Sequence, residues 1–589
     1  AGTEFAADTR GGAILITLRR RRDGGMDGNL QFSTVQSNRI AGYTPSGRIG
    51  IRTGRWTLTA SGSGSFTPVA ESRFTETREQ AGQPLPFAGR SDSKSRTNYG
   101  RGHFSAVFDP TPKHTAGFDI EYTERSTHMP TLSRTTLGQT QSDSRYRQHM
   151  DGNTLTATAN YIWKIDTLGS QFKLIADYTR YTSDGDNSYH TTTCAPGTLR
   201  DSLYESATGS VYDILTADAG LTRKLPHGLT LRAGLRYTRN DMADKSRYAA
   251  QTQGTWLALP EYSYDQHYTE QIGAAYASLE YSAGRWELSA GLRGEYTSVA
   301  SQAFGRSYFG LFPNVSVSRA LNALRTWLLV AQWSRNIERP AFPALNPARI
   351  RISDYSWQSG NPSLRPTYIH RFSLTAVWKY RYTLTVGGNL HHDLIREIAH
   401  RDATAPDAVY IRPENHYTEN HWFVAASVPA KITRWWNLSV NAVGVMQRIR
   451  LNSTDSPATH YLMFADATCS FTLPAGFFAE AVYRAQSRLY SGNSEVGPRH
   501  TLSATVKKQL FGKRLTLFCT LSNITGCDWE FASLTDGMRR TIDTGQAWSG
   551  RLWKVGAAWN FRTGKKFRAR TVESAAETQR KRLVKSTEQ

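Results

Sequence analysis

The sequence predicts an all-β fold, a transmembrane antiparallel up-and-down β-barrel of about 22 strands with long extracellular loops. Three observations carry that expectation. Apolar and polar residues alternate with period two from about Gly28 onward, the pattern of strands with two unlike faces. Several alternating runs reach about 12–16 residues, longer than the mode of about 5–6 in soluble sheets and enough for the roughly 9–11 that a tilted membrane strand needs. Short and long links between the runs take turns along the chain, as periplasmic turns and external loops do.

The alternation is clearest from Leu229 to Tyr237. Leu229, Leu231, Ala233, Leu235 and Tyr237 share one face; Thr230, Arg232, Gly234 and Arg236 share the other. From Arg285 to Tyr296 the device repeats, with Trp286, Leu288, Ala290, Leu292 and Tyr296 opposite Arg285, Glu287, Arg293 and Glu295. A charged face behind a lipid-compatible face with aromatic ends is what a membrane barrel strand requires. A soluble sandwich or propeller strand alternates equally well, and run length decides against it.

Short links are expected at Thr53-Gly54, Asp109 to Lys113, Lys164 to Gly169, Lys224 to Gly228, Ser282 to Gly284, Ala320 to Ala323, Lys379 to Arg381, Pro429 to Thr433, Leu473 to Gly476 and Gln509 to Lys513. Long polar links are expected at Pro68 to Arg96, Ser126 to His149, Ser183 to Thr208, Asp241 to Asp265, Asn336 to Leu364 and Thr525 to Ser549. Closing such a sheet removes both edges and leaves no unpaired backbone group in the bilayer, where each would cost several kcal/mol.

Composition fits. The 589 residues are rich in Tyr and Gly, and no apolar run approaches the roughly 18 residues of a membrane helix. The formal net charge of +22 is spread over many turns and loops. It forms no stripe with interleaved aromatics, so the reading is no nucleic acid, and lipopolysaccharide phosphates with outer-membrane lipid are the expected anionic partners. The cysteines, Cys194, Cys469, Cys519 and Cys527, contain no Cys-x-x-Cys pair. They are read as free thiols, with a Cys194–Cys527 bridge the lesser alternative.

The stretch from Gln332 to Pro366 organises the chain. It carries Trp333-Ser334-Arg335, Arg339-Pro340, Leu345-Asn346-Pro347 and Gly360-Asn361-Pro362 with Leu364-Arg365-Pro366. Its prolines forbid regular pairing, so it reads as a long, stiff external loop between two strands. This combination resembles the signature loop of TonB-dependent outer-membrane receptors, with Arg365 in place of the usual Lys. The likeness is greatest to the outer-membrane β-barrel group common in Bacteroidetes. Within that resemblance Arg339, Pro340, Asn346, Pro347, Gly360, Asn361, Pro362, Leu364 and Pro366 have a structural role.

Two ends extend the resemblance. Gly11-Gly12-Ala13-Ile14-Leu15-Ile16-Thr17-Leu18 is similar to the last strand of the family's plug domain, and the basic run Arg19 to Arg22 would be the junction. Residues 1–25 are therefore expected to be the end of a plug, 26–561 the barrel, and 562–589 a basic, disordered periplasmic tail after a final strand ending at Phe561. The start lacks a basic region followed by an apolar core, so the sequence is expected to be a mature, truncated or processed form lacking most of the plug.

Catalytic and metal chemistry finds little footing. Ser61 to Ser65 lacks the Gly-x-Ser-x-Gly spacing of a nucleophile elbow. On one strand His391 and Asp393 share a face without His392, and His416 and His421, an odd number of positions apart, are expected on opposite faces. No catalytic, cofactor or metal residue is assigned, and the protein is read as not an enzyme. Trp256, Tyr262, Tyr264, Tyr355 and Trp357 are the candidate ligand-contacting loop aromatics, because aromatics give contact area at low entropic cost. They could equally serve loop packing.

By the resemblance, the chain is a receptor-transporter that binds a scarce, bulky nutrient at its external loops. TonB, acting through a plug, would supply the energy for import. The alternative is a passive pore or a surface adhesion and docking barrel without energised transport.

Overall fold

The computed structural model describes residues 7, 24–80, 82–302, 305–402, 405, 407–526, 528–564 and 572–583. The plug-like stretch Gly11 to Leu18 and the basic run after it lie outside these residues. Among them, 22 antiparallel strands close one barrel. The first strand, Gly25–Gln36, pairs with both the second, Ile40–Thr53, and the last, Leu552–Gly564. At that seam Gly28 is opposite Phe561, and a Cβ on Gly28 would come 2.1 Å from the Phe561 ring. The glycine makes room for the terminal aromatic to lie across the joint.

The faces divide as the alternation predicts. Leu231, Leu235, Tyr237, Leu288, Leu292 and Tyr296 are exposed on the outer wall, while Thr230, Thr238 and Asn240 are buried within. A row of exposed aromatics, including Trp56, Trp163, Trp286, Trp327, Trp378, Trp435 and Trp559, follows the end carrying the short turns. A second row, with Tyr122, Tyr296, Trp333, Trp422 and Tyr461, lies higher. Two aromatic girdles flanking an apolar band mark the membrane-embedded belt.

The expected short turns join consecutive strands at one end, as at 54–55, 109–113, 284–285 and 379–381. The long links differ from expectation. Four of the six are strand for nearly their whole length. Trp56–Gln80 runs into Gln83–Phe108, His114–Leu137 into Thr140–Lys164, Gln171–Ala195 into Thr198–Lys224, and Leu229–Thr252 toward Tyr264–Ala283. Gly138 (φ 59°) and Gly197 (φ 75°) make two of the tight reversals at their tips, a conformation that side chains with a Cβ resist. The polar composition misled because above the membrane the outer face of a strand meets water in place of lipid and the inner face is packed with polar side chains, so period two survives without an apolar face. A strand of 25 residues, such as Thr140–Lys164, is roughly 80 Å long at about 3.3 Å per residue. That greatly exceeds a hydrocarbon core of about 30 Å. One side of the barrel therefore rises as a tall β-palisade.

The signature stretch is corrected too. It is not wholly external. After strand Trp327–Glu338 the chain turns inward, forms a short helix at Phe342–Leu345 and a small hairpin of Ile350–Ser353 with Ser356–Gln358. It then returns to strand Thr367–Trp378. Phe342, Leu345 and Leu364 are buried against Tyr212, Ile214, Met242, Tyr268 and Val299 of the inner wall. Three apolar side chains on a proline-stiffened segment find no other dry surface, so they fold down into the lumen.

Within the tail, residues 572–583 lie against the inner wall, with Ala576 fully buried and a helical turn at Glu577–Lys581. Cys194, Cys469 and Cys519 are free thiols; Cys527 lies outside the described residues.

Candidate functional site

The candidate site has two storeys, a throat at mid-lumen and an aromatic shelf on the palisade above it. The throat is built on charge. Glu295 and Arg293 project inward from one strand and bond each other at 2.6 Å, both almost fully buried. Arg339, entering from the signature segment, donates to Glu295 Oε2 at 2.7 Å and to Thr297 Oγ1 at 3.1 Å. One described residue of the N-terminal segment, Ala7, donates its backbone N–H to Glu295 Oε1 at 3.2 Å and accepts from the Ile337 N–H. A buried carboxylate holds only if cations and donors replace its water, and here several segments supply them.

The remaining signature residues mostly bond one another. The Gly360 N–H donates to the Asn346 carbonyl at 2.9 Å, and the Asn361 N–H to the Ala344 carbonyl at 2.7 Å. The Asn361 side chain donates to the Pro413 carbonyl and accepts from the Ser363 N–H. Asn346 Oδ1 caps the Ala348 N–H just after Pro347. Pro362 precedes Leu364, which is fully buried, and Pro366 is buried beside it. The Pro340 carbonyl accepts from Arg582 at 3.0 Å. Arg365 reaches Asp393 at 2.8 Å.

Of the five candidate aromatics, two come together. Tyr262 and Trp357 stack with centroids 6.4 Å apart and planes 9° from parallel. The aromatic row continues edge-on to Tyr248, which stacks on Tyr189, and Tyr189 meets Tyr146 edge-on. Arg351, on the small hairpin, lies 5.4 Å from the Trp357 ring centroid and within 6.0 Å of Tyr146, Tyr189 and Tyr204. Asp354 closes the contact, accepting from Ser144 Oγ at 2.6 Å, Tyr146 at 2.9 Å and Thr191 at 3.2 Å. Burial first, and then the Asp354 charge, push the Tyr146 hydroxyl well above the usual phenol value, so it stays a donor. Tyr355 is elsewhere, edge-on to Phe87 at 5.8 Å. Tyr264 is partly buried. Trp256 is exposed on the short strand Thr255–Ala258.

Parity failed at one place. Asp393, at φ 56°, and Tyr417 drop out of the ladder opposite one another. Beyond that break His416 returns to the inner side. His416 and His421 therefore both face Glu419, at 3.2 and 2.7 Å, contrary to the expected opposite faces. Arg396 and Gln447 complete the surroundings of this fully buried carboxylate. Among the described residues no group of three His, Cys, Asp or Glu side chains is placed to hold a metal ion. Arg351, Asp354, Glu419 and Arg582 were not singled out from sequence, because their partners are remote in the chain and no local spacing announces them. The lumen charges Arg232, Arg236 and Arg293 pair with Glu280, Asp218 and Glu295 on the wall itself.

A closed barrel with two aromatic girdles, an inward-folded signature segment and a tall palisade matches a known family model. Residues 163–554 fit the model described as "Outer membrane protein beta-barrel family". The chain belongs to the outer membrane protein beta-barrel family. Like the family, it resides in the bacterial outer membrane. No curated protein matches the sequence. Solved structures share the fold at low identity. The siderophore receptor PirA from Pseudomonas aeruginosa aligns with a TM-score of 0.55 and 13% identity over 92% of this chain and 81% of its own. A mutant of the ferric enterobactin receptor PfeA of the same organism, in complex with enterobactin, gives 0.58 and 14% over 91% and 81%. The copper transporter OprC gives 0.57 and 12% over 92% and 82%. Receptors and a transporter thus share this barrel fold.

Proposed function

We propose that this barrel is a receptor-transporter that captures a scarce, bulky nutrient on the palisade and imports it with energy delivered by TonB through a plug. One observation carries the reading: a tall, aromatic-lined rim stands above a signature segment that folds into the lumen and is tied to the wall by Arg339–Glu295. A rim of that kind suits capture, and a segment folded down into the lumen suits gated passage better than free diffusion. The fold neighbours named for a siderophore, ferric enterobactin and copper support the same class. The signature motif supports TonB coupling and the Bacteroidetes-type subgroup. The absence of a catalytic role rests on the same neighbours and on wall charges that pair with one another.

Uptake decides. Cells carrying the protein as their only such receptor are offered ferric enterobactin, other ferric siderophores, haem, cobalamin and copper complexes. Energised import predicts accumulation of one probe that stops when the proton gradient is dissipated or TonB is deleted. Entry that continues without either would sink the proposal and leave the passive pore.

A further inference from the structure

The tail climbs the inner wall in register with height. Val572 lies beside Gly117, near the short-turn end. Glu573 meets Lys173 at 2.6 Å, and the Ala575 N–H donates to Asp177 Oδ2 at 2.7 Å. Higher up, Asn240 Nδ2 donates to Gln579 Oε1 at 3.2 Å. At the top Arg582 donates to Glu270 Oε2 at 2.5 Å and to the Pro340 carbonyl at 3.0 Å. Its guanidinium carbon stands 4.2 Å from the Phe342 ring centroid, and its own carbonyl accepts from the Phe342 N–H at 2.8 Å. Leu583 packs on the cluster of Phe342, Leu345 and Leu364.

We propose that the inner wall holds a binding site for a short basic peptide, occupied in cis by residues 572–583. The bound peptide latches the signature segment down in the lumen. The occupant must bring a cation. Glu270 is buried, and the neutral amide of Asn240 also donates to it, at 2.8 Å. Stripping the guanidinium from such a carboxylate is costly, whereas an arginine fork satisfies it and reaches the Pro340 carbonyl at once. The site also demands small residues lower down. Ala575 and Ala576 are buried, and the Asp177 that receives the Ala575 N–H is itself buried and accepts from Thr158. The latch joins the wall, through Glu270 and Asp177, to the segment bearing Arg339 and Phe342. Withdrawal of the tail toward the short-turn end removes the donor to Pro340 and the acceptor for the Phe342 N–H in one step.

The test uses the full chain in outer-membrane vesicles. With Cys194, Cys469, Cys519 and Cys527 replaced by serine, the pair Lys173→Cys and Glu573→Cys, which leaves Asp177 and Glu270 intact, should be bridged by a short bis-maleimide in the folded barrel. A labelled peptide spanning 572–583 should bind the full-chain Arg582→Glu barrel, whose own tail is weakened. It should bind the wild-type barrel at least tenfold more weakly, since that site is filled. The same peptide carrying Arg582→Glu should compete for neither. The proposal is overturned if the cysteine pair fails to bridge in a barrel that is folded by heat-modifiability, or if both peptides compete equally. Neither readout requires transport, so failure of the import reading leaves this test intact.

Discussion

Arg339 and Glu295, 44 positions apart, bond at 2.7 Å with side chains 1% and 2% exposed. A proline-bound loop and a barrel strand are thereby joined inside the lumen. Arg339→Ala removes the cation that the loop brings and leaves Glu295 to Arg293 on its own strand. Breaking a buried pair by removing one partner costs about 3–5 kcal/mol. The expected result is a folded barrel whose 339–366 segment becomes sensitive to protease added from outside. Arg339→Lys should rescue only partly: both bonds leave one nitrogen, Nη2, which an ammonium can match in kind but, on its shorter stem, not in reach.

Gly360 stands where the loop crosses itself. A Cβ there would come 2.1 Å from the Asn346 carbonyl oxygen and 2.7 Å from that of Ala344. Both obstacles are backbone, so no rotamer change relieves them. Gly360→Ala is expected to cost about 1–3 kcal/mol of loop order, the usual range for overpacking. Amide exchange at Gly360 and Asn361, whose N–H groups donate to these same carbonyls, should accelerate, while exchange in the barrel strands stays unchanged.

The sequence made the barrel legible because a membrane wall imposes one rule on every strand. Leu231, Leu235 and Tyr237 face lipid, so their alternation is strict and can be read directly. The palisade was not legible for the converse reason. At Thr127 to His149 the outer face meets water and the inner face is buried but largely polar, with Ser133, Thr135, Ser142 and Ser144, so nothing forces an apolar residue at alternate positions. The site was partly legible. Arg339 and Leu364 were marked by motif, but that they turn inward follows from contacts with Glu295 and Tyr212, which sequence spacing does not encode. His416 was misplaced because one non-ladder pair, Asp393 with Tyr417, changes which face lies inward.

Trp357 separates the two roles open to the shelf. It stacks on Tyr262 and receives Arg351 over its face. Trp357→Ala removes both contacts, and aromatic stacking and cation–π terms are each worth about 0.5–1.5 kcal/mol. If the shelf captures ligand, surface binding of the imported probe should weaken by roughly tenfold while Trp357→Phe retains most of it. A shelf that serves packing alone would show faster amide exchange at the Asp354 hairpin with unchanged probe binding.

Acid should release the outer hairpin through Glu76. This carboxylate lies far above the membrane belt on strand Trp56–Gln80. It accepts from Arg540 at 2.8 Å and from Arg78 at 2.9 Å, and Arg540 also donates to Ser356 Oγ at 2.9 Å. One carboxylate thus ties together the barrel wall, the Met538–Gly545 hairpin strand and the signature segment. Burial alone would raise its pKa, but Arg540 and Arg78 together outweigh burial and hold it below the usual carboxylate value. A depressed folded pKa contributes stability above the unfolded value, and that contribution is lost as pH falls through the folded one. Hydrogen exchange of residues 529–545 should therefore stay slow through neutral and mildly acidic pH. It should quicken only below the ordinary glutamate range, once Glu76 takes a proton and two buried guanidinium groups are left facing each other. Glu76→Gln removes that acid step and loosens the hairpin at neutral pH by about 3–5 kcal/mol, the cost of stripping one partner from a buried ion cluster. A variant whose exchange matches wild type at neutral pH would show that Arg540 is held by Ser356 and the strand ladder, not by Glu76.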